Sequence, residues 1–125
     1  MTTLQQLLDS ILRGQLLPPD MFQRDDLDDI LDTRDQREFE QPWLACSKQI
    51  EQRWAEETPG AATIELIDEI RKQSFLVVSR ATRQHEMASY VSDDFELICK
   101  ALALESNDPY AADLLKCYQN QELPK

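Results

Sequence analysis

The stretch Ser74-Phe75-Leu76-Val77-Val78-Ser79, SFLVVS, decides the fold class. Its aromatic and β-branched side chains suit a strand, where such residues pack well on a pleated surface. No second run in the chain offers a convincing partner strand. The stretch also lies inside a longer pattern in which Ile64, Ile67, Ile70, Val78 and Ala81 recur on one side at helical spacing. It therefore reads as part of a helix running from Ala61 to about Met87, and the chain reads as all-α. Residues 1–125 are expected to form a single compact bundle-like domain of about six helices.

The flanking sequence supports this. Thr3 followed by Gln6 is a capping-box pattern, and Leu4, Leu7, Leu8, Ile11 and Leu12 then recur at helical spacing until Gly14 stops the helix. Asp20 with Gln23 predicts the cap of a second helix, with Phe22, Leu27, Ile30 and Leu31 as its apolar stripe. Thr33 with Gln36 offers a third cap. Phe39, Trp43, Cys46, Ile50 and Trp54 then keep a helical period straight across Pro42, which either kinks this helix or sits in its first turn. Thr58-Pro59-Gly60 breaks the pattern. Downstream, Ser92 is expected to cap a helix with Phe95, Ile98, Cys99 and Leu102 inward. Asp108-Pro109 opens the last helix in the cap-then-proline order, with Ala111, Leu114, Leu115 and Tyr118 inward.

Only two glycines occur, and they leave no phosphate-cradling loop. The net charge of −11 disfavours nucleic acid and anionic membrane surfaces as partners and favours a basic one. No apolar run approaches the ~20 residues of a membrane span. The N-terminus lacks the basic start and cleavage site of a secretion signal. Cys46, Cys99 and Cys117 are odd in number and far apart, so no disulfide framework is read and a reducing cytoplasm is the expected setting.

The charge is concentrated. Gln23–Glu40, QRDDLDDILDTRDQREFE, holds eight acids and three arginines. An EF-hand loop would need a glycine at its turn, and here leucine and isoleucine stand at helical spacing instead, so no calcium site is expected. The first reading is a solvated helix face. The second is a docking surface for a basic protein partner, made by Asp25, Asp26, Asp28, Asp29, Asp32 and Asp35. Arg34 and Arg37 are expected to pair locally with Asp35, Glu38 or Glu40.

Other chemistries find little support. His85-Glu86 lacks the second histidine of an HExxH zinc motif. The cysteines fall on apolar stripes, where a thiol acts as a small hydrophobe. Asp93-Asp94 are adjacent, about 100° apart on a helix, and read as capping and dipole compensation rather than an acid–base pair. No catalytic, metal or cofactor residue is assigned. Ala61–Ser89 is locally neutral, and Arg80 and Arg83, three residues apart, are the candidates for self-association in a homodimer. The sequence thus points to a non-enzymatic acidic interaction domain that masks a basic partner, as immunity or antitoxin-like inhibitors do. A structural homo-oligomer is the alternative, and a metal- or cysteine-dependent enzyme comes last.

Overall fold

A computed structural model describes residues 2–125. The described residues form six α-helices and no strand: α1 (Leu4–Leu12), α2 (Leu27–Arg34), α3 (Arg37–Glu57), α4 (Ala61–Thr82), α5 (His85–Ala103) and α6 (Pro109–Gln119), with a 3₁₀ turn at Pro19–Phe22 before α2. SFLVVS lies wholly within α4, as expected.

α5 is the central element. It packs against all five other helices, and α4 and α5 form a long helical hairpin. Met87, Val91, Phe95, Ile98 and Cys99 of α5 are buried. Around them lie Leu7 and Ile11 from α1, Ile67, Ile70 and Val78 from α4, and Leu114 and Tyr118 from α6. α1 lies on α4 and touches α5, while α2 and α3 cover α5 from another side.

The caps explain the boundaries. Thr3 Oγ1 accepts from the Gln6 amide at 3.1 Å, and Gln6 Oε1 accepts from the Thr3 amide at 2.9 Å. Gly14, at φ +71°, ends α1 in a Schellman motif: its amide donates to Ile11 O and that of Gln15 to Ser10 O. The same pattern closes α5 at Glu105 and α6 at Gln121, at φ +53° and +59°.

Several local expectations are corrected. α4 ends at Thr82 rather than Met87, and α5 starts at His85 rather than Ser92. Arg83 takes the left-handed conformation, φ +57°, and the Thr82 hydroxyl accepts from the Gln84 amide at 3.0 Å, which turns the chain without a glycine. Ser92 is buried in mid-helix and donates to Arg71 O. Asp20 sits inside the 3₁₀ turn, and α2 begins only at Leu27. Thr33 caps nothing: its hydroxyl donates back to Asp29 O within α2, and Gln36 precedes α3. α3 runs through Pro42, its sixth residue, whose missing amide leaves the Glu38 carbonyl without its helical donor. Leu12, expected inward, is 60% exposed.

Candidate functional site

α2 is short, and Leu27, Ile30 and Leu31 bury one side of it. That orientation fixes the others. Asp25, Asp28, Asp29, Asp32 and Asp35 are exposed, and Asp26 is partly so. Asp28 and Asp29 lie in the first turn, where the helix dipole favours negative charge. Asp26 pairs with Arg24 at 2.5 Å, and that bond holds its carboxyl below the ordinary range. Asp28 accepts from Gln84 Nε2 at 3.4 Å. Among the described residues, Asp25, Asp28, Asp29 and Asp32 form no ion pair, so their charge faces outward undiminished.

Arg34 departs from the expected local pairing. It points inward, 6% exposed, and meets Asp94 of α5, which is fully buried. The contact is bidentate: Nη1 donates to Oδ2 at 2.8 Å and Nη2 to Oδ1 at 2.7 Å. Trp43 Nε1 donates to Asp94 Oδ1 at 2.8 Å and the Tyr118 hydroxyl to Oδ2 at 2.5 Å. Nη1 also reaches Pro124 O at 3.3 Å, and the guanidinium lies over the Phe39 and Tyr90 rings at 4.5 and 5.0 Å. Burial disfavours the Arg34 charge, but the hydrogen bonds and attraction of Asp94 outweigh it and hold its proton more firmly than usual. Burial, then the Asp94 charge, push the Tyr118 hydroxyl well above its ordinary pKa. The network joins α2, α3, α5, α6 and the C-terminal residues.

Asp94 is therefore not a cap. A signal for both partners was present in the sequence. Arg34 continues the stripe of Leu27, Ile30 and Leu31, and Asp94 falls between Val91 and Ile98 at helical spacing. A charge on an apolar stripe needs a buried counter-charge.

Burying Arg34 changes the surface. Across Gln23–Glu40 it leaves eight acids against two outward arginines, a net −6. It also builds a cleft between the α2–α3 junction and α5, of about 190 Å³, lined by Arg34, Asp35, Phe39, Glu40, Trp43, Leu44, Tyr90 and Asp93. Phe39 and Tyr90 wall it, held against the guanidinium, and Leu44 is 51% exposed beside it. The Tyr90 hydroxyl donates to Asp35; this bond, and then burial, push its pKa up to about 12. Asp93 is raised as well, chiefly by burial. Sequence reading missed the cleft, although Leu44, one step off the stripe of Trp43, was a visible sign of exposed apolar surface.

The remaining candidates are ordinary. Cys46 and Cys99 are buried, and burial first of all raises both thiols to about 12. Cys117, expected inward, is only partly buried because it turns toward the C-terminal segment, where its thiol donates to Glu122 O at 3.3 Å. Raised thiols make poor nucleophiles. His85 is exposed and stacks on Phe75. Arg80 is exposed on α4, but Arg83 lies past its end, so helical spacing does not align the two. Among the described residues no group of three or more His, Cys, Asp or Glu could hold a metal ion, and no helix is long and apolar enough to cross a membrane.

A family model described as Immunity protein PIM1 matches residues 6–125, nearly the whole chain. The chain belongs to this family. No curated protein matches it. In this PIM1 family member the matched region includes the acidic face of α2, the buried Arg34–Asp94 pair and the cleft.

Proposed function

We propose that the chain is a non-enzymatic immunity protein that binds a basic toxin and blocks it, with Asp25, Asp26, Asp28, Asp29, Asp32 and Asp35 as the docking face. The observation that supports this reading most is the outward, largely unpaired charge of α2 in a member of an immunity protein family. A concentrated negative face speeds encounter with a basic protein and disfavours wrong partners through like-charge repulsion. It does so at little cost to folding, because the carboxylates stay in water.

The test is binding of the partner, purified from the chain's own cell extract, across a salt series. Asp25→Lys with Asp28→Lys and Asp29→Lys should weaken binding by about tenfold or more at low salt and flatten its salt dependence. Equal binding by both proteins at every salt concentration would remove the docking face. Self-association is the second reading. Its support is that Arg80 and Arg83 are exposed and form no ion pair among the described residues, so they are free to meet acids of a second copy. A strict monomer in sedimentation, unchanged by Arg80→Glu with Arg83→Glu, would end it.

A further inference from the structure

We propose that the cleft between the α2–α3 junction and α5 receives one arginine side chain of the partner protein. This deepens the immunity reading and rests on it: it names the group that anchors a contact which the acidic face of α2 only steers.

Size comes first. At about 190 Å³ the cleft is smaller than the ~300–1,000 Å³ of small-molecule sites and suits one long side chain. Shape and chemistry narrow the choice. The walls are Phe39, Trp43, Leu44 and Tyr90, apolar surfaces that an aliphatic stem would cover. Aromatic faces also favour a planar guanidinium over a compact, strongly hydrated ammonium.

Charge then decides the sign. Three carboxylates line the cleft: Asp35, Glu40 and Asp93. Glu40 has no ion pair among the described residues. Among the described residues, Asp35 accepts from the Tyr90 hydroxyl alone and forms no ion pair. Asp93 stands 3.6 Å from Arg71 Nη2, but Arg71 holds Glu96 more closely, at 2.5 Å. Among the described residues, the one cation lining the cleft, Arg34, is already bound by Asp94 in bidentate fashion, so the local balance is negative. Arg34 adds no competing attraction for an anion, because its guanidinium is enclosed. A fully enclosed arginine beside aromatic rings is a common form of interface hot spot.

The probe is N-acetyl-arginine methylamide titrated into the full chain, with the norleucine analogue as control. The readout is the Trp43 indole N–H and Leu44 methyl resonances. The arginine probe should shift both in a saturable way, and the norleucine probe should bind about tenfold more weakly, the loss of one charge-assisted contact. Glu40→Gln with Asp35→Asn keeps the hydrogen-bond acceptors and should weaken the arginine probe by a similar factor, while an unchanged circular dichroism spectrum reports an intact fold. No saturable shift at Trp43, equal binding of the two probes, or full binding to the double variant would each overturn the proposal. The outcome is separable from that of the α2 reading. Arginine-probe binding without any effect of the α2 reversal on the partner sinks that reading alone. A strong effect of the reversal without probe binding sinks the cleft alone.

Discussion

Asp29, on the outer side of α2, is exposed and meets no cation among the described residues, whereas Asp94, on the inner side of α5, is fully buried and accepts four hydrogen bonds. A carboxylate has about four lone-pair sites, so Asp94 is saturated by Arg34, Trp43 and Tyr118. The contrast shows how one residue type serves two ends in one domain. An exposed carboxylate supplies field and solubility, and its neighbours are nearly free to change. A buried one must have every acceptor met, and so it dictates the side chains around it.

The largest effect should come from breaking the buried half of this contrast. Asp94→Ala leaves Arg34 charged and enclosed, with Trp43 and Tyr118 unpartnered, and should cost about 3–5 kcal/mol in urea unfolding. A loss under about 1 kcal/mol would mean that water reaches Arg34 and that the network does not hold α2 and α3 to α5.

An effect confined to alkaline pH follows from the protons stored in the core. The Cys99 thiol is raised from 9.0 to about 12, and the Tyr118 hydroxyl lies well above 10. The folded chain holds both protons more tightly than the unfolded chain does. Their contribution is therefore complete below pH 9 and is lost as the pH climbs toward 12, at a slope of up to ~1.4 kcal/mol per pH unit for each group. Thermal midpoints should fall steeply over that range, with the phenolate absorbance of Tyr118 appearing only on unfolding. Tyr118 absorbance that titrates before unfolding would break the argument.

The smallest effect belongs to the surface half. The triple lysine variant at Asp25, Asp28 and Asp29 should shift stability by only about 0.5 kcal/mol per site, whatever it does to partner binding. A loss comparable to that of Asp94→Ala would place these carboxylates in the fold rather than on a docking face.

How much of this could be read from the sequence follows the same division. Elements with local signals came through: the Thr3–Gln6 box, Gly14, Asp108-Pro109 and the helical reading of SFLVVS. The α4–α5 turn did not, because Arg83 takes a conformation that sequence normally announces with glycine. Arg34 was read as a surface charge since acids stand beside it, while its true partner lies 60 residues away. Spacing along one helix reveals that a position is inward but not which distant residue meets it there. For the cleft, Phe39, Trp43 and Tyr90 were visible only as core or aromatic residues, and nothing local joins α3 to Tyr90.

That separation also bears on the order in which the chain folds. The α4–α5 hairpin closes across a two-residue turn, so its contacts are cheap in loop entropy and can form early. The Arg34–Asp94 and Trp43–Asp94 bonds, by contrast, span 60 and 51 residues and become favourable only once α5 already has an inner side to meet. The docking of α2 and α3 should therefore come after the rate-limiting barrier. In kinetic terms, Val78→Ala in the hairpin should slow folding, while Trp43→Phe should leave the folding rate nearly unchanged and speed unfolding. The reverse pattern in a chevron plot would show that the ion pair nucleates the fold.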